Sequence, residues 1–368
     1  MTDPRTGASS LRGLTVAVTG ASGNVGTALL RRLTDPALGV AGVRGLARRQ
    51  PPPVPPYDGV RWHLADLGEP SSATALRPFL EGADAVVHLA WALQPGRRPD
   101  LLRRVNVEGT RRVMTAAVDA GVGHVVHMSS LGAYAAAAVG QRVTEDWPVT
   151  GIPSAQYSRD KSAAEQVVRE VIGRRADTTL NVVRPTLVLQ PEASSAIGRY
   201  FLGPLLFGAA RALPAGVARR LPLPLPALDV GFIHADDVAD ALMRMLDQRV
   251  PGPFNLSADP VLDAAGLARA LGTVRIPTPA PALRAALAAA FHARIVPTEP
   301  GWLDIGLKAP ALDTTRARHV LGWAPQHRGD DVLREFVAAL GRGDGAPGEL
   351  LRPAAGGPER DPEVGRQV

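Results

Sequence analysis

The chain has 368 residues, enough for one large α/β domain or a domain and a half with a self-sustaining core. It has no cysteine, which excludes disulfides, thiolate metal sites and cysteine nucleophiles. The formal charge of +6 is spread in pairs such as Arg48-Arg49, Arg97-Arg98 and Arg111-Arg112 with little aromatic interleaving, so no nucleic-acid partner is expected.

Residues 1–12 are polar and read as a tail. Leu14-Thr15-Val16-Ala17-Val18 is a β-branched run too short for a secretory core, and it passes into Thr19-Gly20-Ala21-Ser22-Gly23-Asn24-Val25-Gly26 and a helical pattern at Val25, Leu29 and Leu33. Further strands are expected at Val43 to Ala47, Val60 to Leu64, Ala85 to Leu89, His124 to Met128 and Leu180 to Arg184, with helices between them at Leu101 to Ala120 and Ser158 to Val171. This alternation predicts an α/β fold, a doubly wound parallel sheet of Rossmann type with a smaller C-terminal substrate domain. The dinucleotide-binding unit is placed at 13–190. A strand at Gly231 to His234 and a helix at Asp237 to Leu246, capped by Asp236, bring 229–250 back to it. Residues 191–228 and 251–340 are assigned to substrate binding, and 341–368 to a second tail. No apolar run approaches the ~18 residues of a membrane span, so a cytoplasmic protein without membrane contact is expected.

Glycines at 20, 23 and 26, between a first strand and a first helix, allow backbone amides and the positive end of the helix to meet a pyrophosphate. At the end of the second strand, where an acid would bond ribose hydroxyls, stands Ala47, followed by Arg48 and Arg49. NADP is therefore favoured over NAD. Asp66-Leu67 after the third strand is placed either to bond an adenine amine or to cap a helix.

Tyr157 and Lys161 stand four apart, on one face of a helix. An ammonium near a phenol lowers its pKa from about 10 and makes a usable acid–base pair. With four tyrosines and only two lysines in the chain, that spacing would arise by chance in roughly two such chains in a hundred. Ser129 and Ser130 end the fifth strand, at the carboxyl edge of the sheet, where either hydroxyl can hold a substrate oxygen.

These motifs resemble the extended branch of the short-chain dehydrogenase/reductase superfamily, the NAD-dependent epimerase/dehydratase family, over roughly residues 14 to 335. The likeness also rests on His88-Leu89-Ala90, Asn106-Val107-Glu108-Gly109-Thr110, Arg184-Pro185-Thr186, Phe232-Ile233-His234-Ala235-Asp236-Asp237 and Phe254-Asn255-Leu256. It implies a catalytic set of Ser130, Tyr157 and Lys161, with Ser130 chosen over Ser129 because it stands four residues before Tyr134. The implied cofactor set is Gly20, Ser22, Gly23, Asn24, Val25, Gly26, Arg48, Asp66, Leu67, Ala90, Asn106, Tyr157, Lys161 and Pro185. Asn106 is expected to support the active-site strand and helix. Asp236 and Asp237 are expected to cap a helix, and no metal site is expected. The resemblance further implies hydride transfer to or from a secondary alcohol or ketone, a small-molecule substrate and a homodimer through helices 101–120 and 158–171. Leu131-Gly132 replaces the acidic pair of related dehydratases, and Leu187 replaces an asparagine of many sugar-nucleotide epimerases. A UDP-sugar 4-epimerase is the close alternative, and an NADP-sensing regulator without turnover is the alternative of another class.

Overall fold

The computed structural model describes residues 11–93, 96–173, 175–201 and 222–353. Both extreme termini and most of the apolar insertion, including Leu202, Leu205, Leu206, Phe207 and Arg211, lie outside the described residues.

Seven parallel strands form the central sheet. In chain order they are β1 (Thr15–Thr19), β2 (Gly42–Ala47), β3 (Arg61–Leu64), β4 (Ala85–His88), β5 (His124–Met128), β6 (Thr179–Pro185) and, after two short strands named below, β9 (Gly252–Leu256). Their order across the sheet is β9-β6-β5-β4-β1-β2-β3, which reverses direction between β1 and β4. Alternation along each strand sends residues to opposite faces. Val16, Val18, Val87 and Val126 join one core with helix α1 (Asn24–Leu33), whereas Ala17, Val86 and Val125 join the other with helix α2 (Ser72–Leu80). A parallel sheet buried on both sides needs apolar residues on both, which is why these strands read as nearly continuous hydrophobic runs.

The helix expected from Leu101 to Ala120 is interrupted. Helix α3 (Pro99–Arg103) passes through a wider π turn at Arg104–Glu108 before α4 (Gly109–Asp119). Helix α5 (Gln156–Val171) packs beside α4.

Several expected boundaries are corrected. The strand at Phe232–His234, β8, does not rejoin the main sheet but pairs in parallel with β7 (Leu187–Leu189). Its helix, α6 (Ala235–Gln248), does return and packs on α1. That helix is capped by His234, whose Nδ1 accepts the Asp236 N–H at 3.1 Å. Asp236 instead pairs with Arg31, and the Asp237 carboxylate accepts the backbone N–H groups of Gln326 and His327. Residues 252–256, expected in the substrate unit, form the edge strand of the main sheet next to β6. The second tail also begins later than expected, because Ala346 and Leu351 are buried against Ala193 and Ala196. Among the described residues no helix is long and apolar enough to cross a membrane.

Candidate active site and dinucleotide cradle

The turn after β1 is built so closely that side chains are excluded. Gly20 has φ +67°, and a Cβ there would stand 2.7 Å from the Ala90 nitrogen. A Cβ on Gly26 would meet the Gly20 carbonyl oxygen at 2.3 Å. Both positions therefore require glycine. Helix α1 starts from an extended Gly23, without a side-chain cap and without an acid in its first turn. Its leading amides and positive dipole end are thus left for an anion, and the cradle fits a dinucleotide pyrophosphate.

The other expected contacts divide into two groups. Ser22 is buried at the turn, Ala90 donates its N–H to Thr19 Oγ1 at 3.2 Å, and Val25 packs on the core. Asn24 is engaged within the protein: its Nδ2 donates to the Val188 carbonyl at 2.9 Å and its Oδ1 accepts from Gln190 Nε2 at 2.8 Å. Arg48 is exposed just beyond β2. Asp66 is exposed and accepts the Gly68 N–H at 2.8 Å, so it closes a local turn, while helix α2 takes Ser71 at its start. The Leu67 carbonyl accepts from Arg112. Pro185 ends β6 opposite Leu256.

Asn106 lies in the π turn and grips the loop after β4 with both ends of its amide. Its Oδ1 accepts the Ala92 N–H at 2.7 Å, and its Nδ2 donates to the Ala92 carbonyl at 2.9 Å. A buried polar chain runs nearby. Thr19 Oγ1 bonds His88 Nδ1 at 2.7 Å, His88 Nε2 bonds Thr110 Oγ1 at 2.9 Å, and Thr110 donates to the Asn106 carbonyl at 2.6 Å. Because Thr110 spends its proton on Asn106, His88 must donate from Nε2. Burial holds that imidazole neutral, with its pKa pushed down to about 3.

Ser130, Tyr157 and Lys161 converge at the ends of β5 and α5. Ser130 lies near enough to Tyr157 to draw its pKa down, and its Oγ accepts the Gly132 N–H at 3.1 Å. Ser129 faces elsewhere, donating to Glu165 at 2.5 Å. The geometry thus separates two adjacent serines that the sequence left equal on chemistry alone. Gly132 packs against the tyrosine so tightly that a Cβ would come within 2.9 Å of its ring, which leaves no room for an acidic side chain. Lys161 is 3% exposed and donates to the Met128 carbonyl at 3.0 Å.

The electrostatics reverse one expectation. Burial pushes the Tyr157 phenol up to about 12, and the nearby Ser130 hydroxyl only partly opposes it. The lysine does not acidify the phenol in the protein alone, because burial lowers Lys161 itself to about 7 against the pull of Glu165.

Four residues that sequence reasoning missed complete the site. The indole of Trp91 lies over the Lys161 ammonium, 3.5 Å from Nζ to ring centre, and meets the Tyr157 ring edge-on at 5.9 Å. Trp302 packs on Tyr157 from another side at 4.6 Å. Asp160 is buried beside them. Glu165, one turn after Lys161, makes a two-pronged pair with buried Arg184 at 2.9 and 2.8 Å. Only Glu165 left a trace in the sequence, as a carboxylate four residues from the lysine. No group of three His, Asp or Glu side chains suited to a metal gathers among the described residues.

A parallel sheet with a glycine turn at its first strand and a Ser–Tyr–Lys cluster at its carboxyl edge defines a nucleotide-binding α/β protein of the short-chain dehydrogenase kind. The profile of the NAD dependent epimerase/dehydratase family matches residues 16–257, and the chain belongs to that family. It is 35% identical over 216 residues to sterol demethylase protein B of Methylococcus capsulatus, covering 57% of this chain and 62% of that one. It is 29% identical over 323 residues to the UDP-glucose 4-epimerase of Mycolicibacterium smegmatis, covering 84% and 93%. A short-chain dehydrogenase/reductase superfamily protein from Agrobacterium tumefaciens, solved with bound NAD, superposes with a TM-score of 0.64 at 24% identity over 88% of this chain and 96% of that one. The chain spans only 30% of the length of uncharacterized mycobacterial proteins that it matches at 28% identity over 329 residues.

Proposed function

We propose that this protein is an NAD(P)-dependent oxidoreductase acting on a secondary alcohol or ketone. The observation that carries the reading is the convergence of Ser130, Tyr157 and Lys161 beside the glycine cradle, joined to it by the loop in which Ala90 packs on Gly20 and Trp91 on Lys161. The glycine turn, Ala90 and Lys161 would hold the dinucleotide, which when bound supplies hydride exchange at its nicotinamide. Ser130 would fix the substrate oxygen. Tyr157 keeps its proton at neutral pH, since burial raises its pKa, and this suits donation to a ketone oxygen. Replacing Tyr157 by Phe should lower turnover by about 10²–10⁴-fold while leaving dinucleotide binding intact. Binding without turnover in the unaltered protein would instead support the sensor reading.

NADP is the proposed dinucleotide, supported by the absence of an acid at Ala47 and by exposed Arg48 after β2. Arg48→Glu should then lower the NADP-to-NAD affinity ratio by about tenfold or more, as read by fluorescence titration. Equal ratios in both proteins would reject the assignment.

The second reading, UDP-sugar 4-epimerisation, is favoured by the match that spans 93% of the mycobacterial epimerase. Interconversion of UDP-glucose and UDP-galactose without net reduced dinucleotide would establish it.

A further inference from the structure

Lys161 has more hydrogen-bonding capacity than it uses. An ammonium carries three donors, and among the described residues only the Met128 carbonyl accepts from this one, at 3.0 Å. Glu165, one turn away, is taken by Arg184, Arg169 and Ser129. The indole face of Trp91 covers the ammonium at 3.5 Å, and the lysine is buried.

Trp91 is placed by its neighbours and not by hydrogen bonds of its own side chain. Ala90 before it donates to Thr19 Oγ1 and packs on Gly20, while Ala92 after it has both its N–H and its carbonyl held by Asn106. The backbone is thus pinned on either side. The indole itself is partly exposed, yet its Nε1 is buried with no hydrogen-bond partner among the described residues. A buried donor without an acceptor is costly, and turning the ring toward solvent would satisfy it. What opposes that turn is the ammonium under the ring face, with the Tyr157 ring edge-on at 5.9 Å. On the far side of Tyr157 nothing so loosely held is found. Trp302 is wedged between Tyr157 and Phe201, and the void there is only about 10 Å³, the room of one water.

We propose that Trp91 is the gate of this site: its side chain covers Lys161 and turns aside, on a fixed backbone, when hydroxyl groups of the dinucleotide take up the lysine's unused donors. This rests on the dinucleotide reading of the glycine cradle and Lys161. The dinucleotide then competes with the indole for the ammonium, so the cover weakens binding in proportion to its population.

The test exploits a chain with only two lysines, Lys161 and the exposed Lys308. The full chain, unaltered or carrying Trp91→Ala or Trp91→Phe, is pulsed with acetic anhydride at pH 10, and each lysine is read by peptide mass. About a quarter of an ordinary lysine is neutral at that pH, so protonation changes the rate by at most about fourfold. Trp91→Ala should speed labelling of Lys161 relative to Lys308 at least about tenfold, with Trp91→Phe in between. In calorimetric titrations NADP or NAD should bind Trp91→Ala about three- to tenfold more tightly than the unaltered protein. Saturating dinucleotide should shield Lys161 in every protein. A retained thermal transition shows that each variant is folded, and if Trp91→Ala loses it, Trp91→Phe carries the comparison.

Equal labelling of Lys161 with and without Trp91 overturns the cover. Equal or weaker dinucleotide binding in a variant whose Lys161 labels faster overturns the gate and makes Trp91 a bystander or a platform. If labelling responds as expected but neither dinucleotide binds or shields Lys161, the dinucleotide reading falls and takes the gate with it, leaving Trp91 only as the cover of Lys161.

Discussion

Lys161 is held where an ammonium is poorly solvated, bonded to the Met128 carbonyl and roofed by Trp91. Burial lowers its pKa from 10.5 to about 7, so between those values the unfolded chain keeps a proton that the folded chain has released. When the unfolded state binds more protons, stability rises with pH. The penalty for burying the charge is therefore full below about pH 7 and is relieved as pH climbs toward 10. Lys161→Met removes this dependence. The stability of the unaltered protein relative to that variant should increase across pH 7 to 10, by at most about 1.4 kcal/mol per pH unit, in parallel urea titrations. A difference that stays flat would show that Lys161 keeps an ordinary pKa. The pair Tyr157–Lys161 was legible because scarcity and helical spacing are properties of the chain itself. Trp91 and Asp160 were not, because they join the site through loops and helices whose docking no local pattern encodes.

At the level of elements, the site is braced by one buried network. Arg184 on β6 reaches the Glu165 carboxylate on α5, the Tyr134 hydroxyl at 2.8 Å and the Glu145 carbonyl at 2.9 Å. Tyr134 in turn donates to Asn255 on β9 at 2.7 Å. The sequence motifs around Arg184 and Asn255 thus have a physical reason, since they tie two neighbouring strands to helix α5. Burial works against both charges, yet Arg184 hydrogen bonds hold Glu165 below its usual pKa and those of Glu165 hold Arg184 above its own. Arg184→Met would leave the buried Glu165 carboxylate with only the more exposed Arg169 and the Ser129 hydroxyl as partners, and should cost about 2–4 kcal/mol in denaturant unfolding. The double variant Arg184→Met, Glu165→Met should recover part of that loss. If the double variant is no more stable than the single one, the pair is not the source. The strands themselves were readable from β-branched runs. The interruption of the helix between α3 and α4 was not, because apolar periodicity continues through it. What opens the turn at Arg104–Glu108 is tertiary: the amide of Asn106 grips Ala92 from within it.

Across the whole molecule, the dinucleotide-binding half is not closed by its own residues. Nearly half of the larger core, from Ile233 through Leu246 to Phe254, Leu256, Ala317, Leu321 and Trp323, comes from chain beyond residue 190. Trp323 is 1% exposed and donates to the Asp237 carbonyl at 2.9 Å, so the C-terminal region locks α6 against the sheet. Strand β9 also covers the edge of β6, which would otherwise present unpaired backbone groups. Sequence order suggested a first unit at 13–190, with 229–250 returning to it, because the regular alternation of strand and helix stops near 190 and resumes at 229–250. The return of 229–250 was readable, but not that residues 252–256 would add an edge strand and that Ala317, Leu321 and Trp323 would complete the core. A fragment of residues 11–190 should therefore lack a cooperative thermal transition and aggregate, whereas 11–353 should unfold in a single step. Calorimetry of the two proteins decides the matter. A sharp transition in the short fragment would mean that the sheet carries a sufficient core of its own, and that the C-terminal half is an independent unit laid against it.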